Sequence, residues 1–274
     1  EYRRARNDVT FTIGDGEMVG YIGPNGAGKS STIKIMSGIM SPDSGECVIN
    51  GRVPWKDRKA HVRDIGVVFG QRSQLWWDVP VIDSFELLKD VYKVPEAEYK
   101  KNYSDLVELL GIGEIVKTPV RQLSLGQRMR CEIAASLLHS PKILFLDEPT
   151  IGLDAVSKIA VRDFVKTINR EKKTTVILTT HDMQDIEALT DRILLIGKGR
   201  ILLDGSLDDL MTRNTSKKTL TVAYSGTLPA FENMTVVKDI GGHAEIVIDT
   251  STVSVASAIA EISAAVDIKD VSVE

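Results

Sequence analysis

A glycine-rich segment near the start of the chain has the residue types and spacing that bind phosphate. It fits the pattern G-x-x-x-x-G-K-[ST] with Gly23, Pro24, Asn25, Gly26, Ala27, Gly28, Lys29 and Ser30, followed by a second serine, Ser31. Glycines let the backbone wrap a phosphate with its N–H groups pointing inward, and the N-terminus of a following helix adds positive partial charge. Lys29 is expected to reach the β- and γ-phosphates, and Ser30 is expected to bind Mg²⁺. The segment therefore predicts a nucleotide site.

Two adjacent acidic residues, Asp147 and Glu148, follow an apolar run that begins at Ile143. An acid at the end of a buried strand is costly unless it meets a cation. Asp147 therefore fits the role of holding Mg²⁺, and Glu148 is the candidate general base for an attacking water. The alternative is a pair of solvated acids at a strand end, which becomes the weaker interpretation once the phosphate loop is considered.

The segment Leu123-Ser124-Leu125-Gly126-Gln127 is predicted to begin a helix. A Ser-x-Gly at a helix start can form a second anion site, because N–H groups and the serine hydroxyl face outward together. An ordinary serine helix cap is the commoner meaning of such a sequence. Taken alone, these residues leave both interpretations open.

These motifs need elements that position them, and the first 213 residues alternate short apolar runs with helical patterns. The runs predict strands buried on both faces at 19–22, 65–69, 143–146, 175–179 and 192–196. A helix is predicted from about Lys29 to Met36, directly after the phosphate loop. This alternation indicates an α/β layered fold with a parallel sheet, and the phosphate loop in front of the first helix is typical of phosphate-loop NTPases.

Residues 83–139 interrupt the alternation with patterns that are helical throughout. Asp83 and Glu86 resemble a capping box for a helix over 84–92. Apolar residues at 99, 103, 106 and 110 predict a second helix that ends at Gly111. A third helix is expected to begin near Ser124. Together these patterns predict a helical insert in the α/β core.

A shift in charge predicts a domain boundary at the polar segment 214–218. Residues 214–274 hold four lysines, no arginine and eight acidic residues, so they carry the whole formal net charge of −4. We therefore expect domains at 1–213 and 214–274. Short strands are predicted at 220–223, 236–237, 245–248 and 271–273, with a helix whose apolar face holds Val255, Ile259, Ile262 and Val266. This pattern indicates a small α+β domain.

The composition is that of a globular protein. Of the 274 residues, 43% are hydrophobic and 26% are charged, and the basic surplus of a nucleic-acid-binding protein is missing. Two cysteines, Cys47 and Cys131, cannot form a disulfide framework and lack partners at zinc-binding spacing. No run approaches the roughly 20 apolar residues that span a bilayer. The sequence predicts a protein that acts in solution or on a membrane-embedded partner.

The order of the motifs resembles the ATP-binding subunit of an ABC transporter. The matching segments lie within residues 1–213 and are GPNGAGKSS, Gln71, LSLGQ, ILFLDEP, GLD and His181. The resemblance implies an ATPase that uses ATP and Mg²⁺ and pairs head to tail with a second copy of itself. Each ATP is then held between the phosphate loop of one copy and the signature segment of the other. The resemblance also implies a transmembrane permease as partner. It further implies a cytoplasmic location, with the protein bound peripherally to the inner face of the cell membrane.

The resemblance assigns roles to individual residues. Gln71 corresponds to the glutamine that senses Mg²⁺ and the transmembrane partner, and Asp154 to the loop residue that crosses the dimer. His181 corresponds to the histidine that contacts the γ-phosphate. Without the family, a lone histidine after a strand would more often be a surface or capping residue. Tyr2 is the candidate for the aromatic residue that stacks on adenine.

The signature segment departs from the family at one position. The usual sequence is LSGGQ, and Leu125 stands here in place of its first glycine. Ser124, Gly126 and Gln127 are kept. The resemblance implies that these three residues contact the ATP bound by the partner copy.

Two adjacent tryptophans, Trp76 and Trp77, lie on a proline-flanked loop after the glutamine. Adjacent side chains on an extended chain point in opposite directions, so one buried face cannot hold both rings. Aromatic residues are enriched at interface hot spots, which predicts contact with a permease. The alternative is that both rings pack on the helical insert. Together with the C-terminal domain, this stretch resembles the ATPases of two-component ABC-2-type exporters.

Other classes of ATPase are the alternatives to a transporter subunit. A soluble ABC-type ATPase acting in DNA repair would carry long heptad insertions, and one acting on the ribosome would usually carry two ATPase halves. The sequence has neither feature. An unrelated phosphate-loop kinase or switch GTPase would lack the LSLGQ segment and the helical insert. A membrane transporter, and an exporter in particular, is therefore the favoured prediction.

Overall fold

The computed structural model describes residues 9–70, 72–210, 217–250 and 252–273. The chain divides into two compact units, residues 1–205 and 206–274. The boundary predicted between residues 213 and 214 falls in the segment 211–216, which lies outside the described residues.

The described part of the first unit is built on a six-stranded sheet. Its strands are β1 (Met18–Ile22), β2 (Ile65–Phe69), β3 (Ile143–Asp147), β4 (Thr175–Thr179), β5 (Arg192–Gly197) and β6 (Arg200–Gly205). They lie in the order β2-β3-β4-β1-β5-β6, with β1 to β5 parallel and β6 antiparallel to β5. All five predicted strands are confirmed, and β2 and β4 have the predicted bounds.

Helices pack on the sheet because the side chains of its strands alternate between two apolar cores. The helices are α1 (Lys29–Met36), α2 (Arg58–Arg63), α3 (Val81–Tyr92), α4 (Glu96–Leu110), α5 (Leu125–Leu137), α6 (Ala155–Lys172) and α7 (Met183–Leu189). Phe145 of β3 joins a core with Ile33 of α1. Leu144 and Leu146 join a larger core built with α3 to α6. No helix in the described ranges is long and apolar enough to cross a bilayer.

The first helix of the insert begins earlier than the sequence predicted. It starts at Val81, whose side chain is fully buried, and Pro80 stands at its N-cap. The predicted capping box of Asp83 and Glu86 is therefore wrong. Pro80 has φ −53°, and its ring restricts this angle to values suited to a helix start. Because the helix already begins at the buried Val81, Asp83 lies in its first turn and not at its N-cap.

The other two helices of the insert have the ends that the sequence predicted. α4 ends at Gly111, which adopts the left-handed conformation with φ 58°. α5 follows Ser124, whose hydroxyl accepts a hydrogen bond from Gln127 N in a capping box. α5 lies against α3, α4 and α6, so it connects the insert to the rest of the unit.

The second unit is a small α+β fold, as predicted. Its elements are β7 (Lys217–Ser225), β8 (Met234–Ile240), β9 (His243–Asp249), α8 (Val255–Ala265) and β10 (Asp267–Val273). The strands form an antiparallel sheet in the order β10-β7-β9-β8. Leu220, Val222 and Ile246 pack against Ala258 and Ile262 of α8. The strands are longer than predicted, because polar residues at their ends or inside them, such as Thr235 and Lys238 of β8, interrupt the apolar signal.

Gly66 of β2 is a point of close packing between the sheet and α5. A Cβ built there would lie 2.4 Å from Ser136 O and 3.1 Å from Leu144 Cδ1. Gly66→Ala should therefore lower the free energy of unfolding by about 1–3 kcal/mol, as overpacking does. Gly113→Ala is the matched control, because the nearest atom to its Cβ would be Val107 Cγ1 at 3.5 Å. Chemical denaturation tests both variants, and equal stability of the two would contradict the packing argument.

Candidate functional site

The phosphate loop joins the end of β1 to the start of α1, as predicted. Gly23 has φ 154°, and a Cβ at this position would lie 2.2 Å from Ile196 O. Gly28 precedes α1 with φ 107°. A side chain at either position would be strained, so the local backbone requires these glycines. Ala27 is buried beneath the loop, in the core that includes Ile33.

Lys29 opens α1 with its side chain directed into the loop. Its Nζ donates hydrogen bonds to Gly23 O at 2.6 Å and to Pro24 O at 3.3 Å. The residue is 8% exposed. The ammonium group therefore lies inside the loop, where a phosphate oxygen could replace a carbonyl oxygen as its partner.

Asp147 lies beside the loop at the end of β3. Its Oδ1 accepts hydrogen bonds from Ser30 Oγ at 3.3 Å and from Thr179 Oγ1 at 2.5 Å. Within the described ranges, no cluster of three His, Cys, Asp or Glu side chains could hold a metal ion. Mg²⁺ at nucleotide sites typically uses one or two carboxylates, water and substrate phosphates. The oxygen atoms of Ser30 and Asp147 therefore fit Mg²⁺ bound together with a nucleotide.

Glu148 and His181 form an acid–imidazole pair at the mouth of the loop. Glu148 has a positive φ of 57°, and its backbone N donates to Thr179 O at 3.0 Å. Its Oε2 lies 2.8 Å from His181 Nδ1. The side chain of Glu148 is 20% exposed and that of His181 is 63% exposed. A largely enclosed carboxylate beside an accessible imidazole can take a proton from a bound water.

The phosphate loop and the loops that carry Glu148 and His181 line a cleft of about 610 Å³. The residues that line it are Gly23, Pro24, Asn25, Gly26, Gly28, Lys29, Ser30, Ser31, Glu148, Ile151 and His181. The cleft lies at the carboxyl ends of β1, β3 and β4, the edge at which open α/β sheets bind ligands. The structure therefore brings together the predicted phosphate-loop residues with Glu148 and His181, which the sequence predicted separately and not as a pair.

The signature residues lie outside this cleft, at the N-terminus of α5. Gln127 N donates to Ser124 Oγ at 3.2 Å, and Ser124 N donates to Gln127 Oε1 at 2.9 Å. The helix-cap interpretation of Ser124 is therefore confirmed. Gly126 is buried against α6, where a Cβ would lie 2.2 Å from Ser157 Oγ. A contact of Ser124, Gly126 and Gln127 with a second nucleotide stays a prediction.

Asp154 caps the neighbouring helix α6. Its Oδ1 accepts a hydrogen bond from Ser157 N at 2.9 Å, and its Oδ2 accepts one from Ser157 Oγ at 2.8 Å. These hydrogen bonds stabilise the carboxylate and hold the pKa of Asp154 below its usual value. Because Gly126 also lies against Ser157, Asp154 and the signature segment are neighbours.

Two predicted site residues, Gln71 and Tyr2, lie outside the described residues, so their roles stay predictions.

The two adjacent tryptophans on the loop before α3, Trp76 and Trp77, are 57% and 51% exposed. Neither ring is therefore buried in the core of the helical insert. Trp77 does contact the insert, since the guanidinium carbon of Arg128 lies 5.8 Å from a ring centroid.

A buried polar cluster behind the acid–imidazole pair was not predicted from the sequence. Asp185 of α7 is fully buried and accepts hydrogen bonds from Thr150 Oγ1, from Thr180 Oγ1 at 3.1 Å and from Arg162 Nε at 2.5 Å. Thr179, which bonds Asp147, was also missed. These residues come from separate elements and share no spacing pattern, so no local signal could have found them together.

Comparisons with known proteins identify the family. Residues 6–151 match the family described as ABC transporter. The chain is 34% identical to the linearmycin resistance ATP-binding protein LnrL of Bacillus subtilis (strain 168). The alignment spans 248 residues and covers 89% of this chain and 79% of LnrL. The chain is 35% identical over 206 residues to the lantibiotic transport ATP-binding protein SrtF of Streptococcus pyogenes, covering 75% of this chain and 86% of SrtF.

Solved structures agree with these relatives. The fold matches, with a TM-score of 0.66 and 27% sequence identity, an ATP-binding cassette solved as a dimer in a post-hydrolysis state with ADP and Pi bound. The match covers 74% of this chain and 90% of that one. On its motifs, its fold and its relatives, the chain belongs to the ABC transporter family and is one of its ATPases.

Proposed function

We propose that this chain is the ATP-hydrolysing subunit of a membrane exporter. The observation that carries the proposal is the cleft in which Lys29, the Ser30–Asp147 pair and the Glu148–His181 pair lie together. Transfer of a phosphoryl group to water requires positioned phosphates, neutralised charge and a correctly oriented water. The loop, the oxygen ligands and the acid–imidazole pair supply these three requirements.

The phosphate loop binds and orients the nucleotide. Lys29 exchanges its carbonyl partners for β- and γ-phosphate oxygens, while loop N–H groups and the N-terminus of α1 hold the phosphate chain. Ser30 and Asp147 hold Mg²⁺, which when bound neutralises charge on the phosphate oxygens. Thr179 keeps the Asp147 carboxylate turned towards Ser30, since it donates to the same oxygen, Oδ1.

Glu148 is the proposed acceptor of the proton that leaves the attacking water. Its positive φ turns the side chain out of the strand direction and towards His181. The more exposed imidazole of His181 contacts the γ-phosphate and stabilises the charge that develops there. The hydrogen bond between the two side chains keeps both at the same end of the cleft.

A second copy of the chain completes the site in this proposal. Ser124, Gly126 and Asp154 lie apart from the cleft that holds the phosphate loop of their own chain. The exposed N-terminus of α5 offers positive partial charge to an anion from outside. An ATP held between two copies would meet the phosphate loop of one and this helix of the other. The dimeric state of the related cassette with ADP and Pi supports the arrangement.

The names of the relatives support export as the direction of transport. One relative is named for linearmycin resistance and another for lantibiotic transport, and removal of a toxic compound from the cell by export would give resistance to it. The chain would then lie in the cytoplasm on the inner face of the membrane and dock on a transmembrane permease. Trp76 and Trp77 are the proposed contact, because a half-exposed pair of large rings gains binding energy when covered by a partner.

Substitution of Lys29 and of His181 should separate nucleotide binding from hydrolysis. Lys29→Ala removes a charged hydrogen bond of about 1.5–3 kcal/mol, so the Kd for ATP should rise roughly 10- to 100-fold. His181→Ala should leave the Kd within about twofold and lower kcat, because its contact strengthens only in the transition state. Nucleotide titration and phosphate-release assays measure the two quantities. If His181→Ala lost affinity in proportion to activity, its assigned role would be wrong.

Replacement of the proposed base should trap a dimer. Glu148→Gln keeps the side-chain size but removes the proton acceptor, so ATP should bind and remain unhydrolysed between two copies. Size-exclusion chromatography with light scattering in ATP and Mg²⁺ should show the dimer mass. Glu148→Gln combined with Lys29→Ala is the control, which should stay monomeric because it binds ATP weakly. A single Glu148→Gln variant that stays monomeric at every concentration would contradict the shared site.

Truncation of the tryptophans should affect coupling and leave folding unchanged. Trp76→Ala and Trp77→Ala should each weaken permease binding by about 2 kcal/mol or more if the ring is a hot spot. Their thermal unfolding should match wild type, because both rings are half-exposed in the free subunit. Phe85→Ala is the folding control, since loss of that fully buried ring should cost about 3–5 kcal/mol.

Two measurements decide this prediction for each variant. They are thermal unfolding of the free subunit and stimulation of its ATPase activity by the reconstituted membrane subunit. Unchanged unfolding with lost stimulation is the expected result. Full stimulation of both tryptophan variants would remove the pair from the permease contact.

A further inference from the structure

One buried carboxylate connects the loop that follows Glu148 with the loop that carries His181. The carboxylate belongs to Asp185 of α7, which is fully buried. Its Oδ2 accepts hydrogen bonds from Thr150 Oγ1 and from Thr180 Oγ1, the second at 3.1 Å. Because one oxygen atom accepts hydrogen bonds from both hydroxyl groups, the two loops cannot move apart without breaking one of these bonds.

The two threonines are adjacent to the proposed catalytic pair. Thr150 lies two residues after Glu148, and Thr180 directly precedes His181. They are 3% and 1% exposed, so water cannot readily replace either hydrogen bond. Glu148 Oε2 and His181 Nδ1 meet at 2.8 Å on the cleft side of the same two loops. The carboxylate of Asp185 therefore lies behind the two loops whose side chains form this pair.

The same cluster is tied to α6 by two basic residues. Arg162 Nε donates to Asp185 Oδ1 at 2.5 Å, and Lys158 Nζ donates to Asp182 Oδ2 at 2.5 Å. The hydrogen bond from Lys158 lowers the pKa of Asp182. α6 is the helix that Asp154 caps. The position of this helix is thus linked to the loop that carries His181.

Stability alone is a poor explanation for such a cluster. Burying a carboxylate and a guanidinium costs several kcal/mol, and well-packed apolar residues of similar volume are often as stable or more stable. What the polar cluster adds is geometry, because each hydrogen bond fixes a distance and a direction. In this fold the fixed elements are the two loops that reach the cleft.

We propose that Thr150, Asp185 and Thr180 are positioning residues for ATP hydrolysis, and that they hold Glu148 and His181 at their working separation. Arg162 neutralises the buried charge on which this arrangement depends. The inference rests on the proposed function, in which Glu148 accepts a proton and His181 contacts the γ-phosphate. None of the three positioning residues lines the cleft, so none is expected to touch the nucleotide.

Threonine-to-valine exchanges test the proposal, because valine keeps the shape of the side chain and removes the hydroxyl. Thr150→Val and Thr180→Val should lower kcat roughly 10- to 100-fold, the size of loss that follows a misplacement of about 1 Å. The Kd for ATP should stay within about twofold, since ground-state binding is left intact. Thr150→Ser and Thr180→Ser restore the hydroxyl and should restore most of kcat.

Thr190→Val is the matched control. Thr190 is also buried, at 7% exposure, but its hydroxyl donates to Ile186 O in the adjoining turn of α7 and connects no loops. It should lower the melting temperature to a similar degree and leave kcat unchanged. The measurements for every variant are steady-state phosphate release, ATP titration and thermal unfolding of the full chain.

Three results would overturn the inference. They are wild-type kcat in both valine variants, equal loss of kcat in the serine and valine variants, and a loss of kcat in Thr190→Val that follows its loss of stability. Glu148→Gln in the same assay keeps this test apart from that of the proposed function. Near-normal hydrolysis by Glu148→Gln would overturn the assignment of the base, whatever the threonine variants do.

Discussion

The in-register parallel pairing of β3 with β4 positions the chemistry of this protein. It sets Asp147 opposite Thr179, whose hydroxyl donates to Asp147 Oδ1 at 2.5 Å and whose carbonyl accepts Glu148 N at 3.0 Å. A slip of one residue would turn Asp147 to the other face of the sheet and break both contacts. A slip would also exchange Leu144 and Phe145 between two apolar cores, each of which is packed around the side chain that it now holds, so core packing specifies the register. The packing of the core and the geometry of the proposed Mg²⁺ site therefore depend on the same strand register.

The N-termini of α5 and α6 form a second surface, apart from the cleft, and each helix end is capped by a side chain of the protein itself. Ser124 and Gln127 satisfy each other's backbone N–H groups in the capping box, and the carboxylate of Asp154 accepts the backbone N–H of Ser157. These caps satisfy some of the orphan N–H groups of each helix and leave others, and the positive partial charge, available at the exposed end. A preformed surface of this kind would require little reordering on meeting the phosphate of a partner copy, which fits the proposed reversible pairing of two copies.

The strands and the phosphate loop were predictable because their signals are local. Five parallel strands are continuous apolar runs, and the loop is a fixed pattern of glycines ahead of Lys29. β6 was missed because it is an edge strand, with Leu203 buried and Leu202 58% exposed, so it lacks such a run. The roles of Thr179 and Asp185 were not predictable either. Each depends on residues more than 30 positions away that meet only when the sheet forms.

The leucine in the signature segment has a steric explanation in this fold. Leu125 is the first residue of α5, where ordinary helical backbone angles suffice and a side chain is tolerated. Its Cδ2 lies 3.0 Å from the position of a Cβ built on Gly152, which has φ 71°. Gly126 has no such freedom, because a Cβ there would lie 2.2 Å from Ser157 Oγ. The leucine thus packs on the loop before α6, whereas the next position must stay glycine for the two helix N-termini to approach each other. Their approach places Gly126 beside Asp154, since a Cβ on Gly126 would lie 3.9 Å from Asp154 Oδ2. Leu125 therefore leaves intact the surface on which the proposed pairing depends.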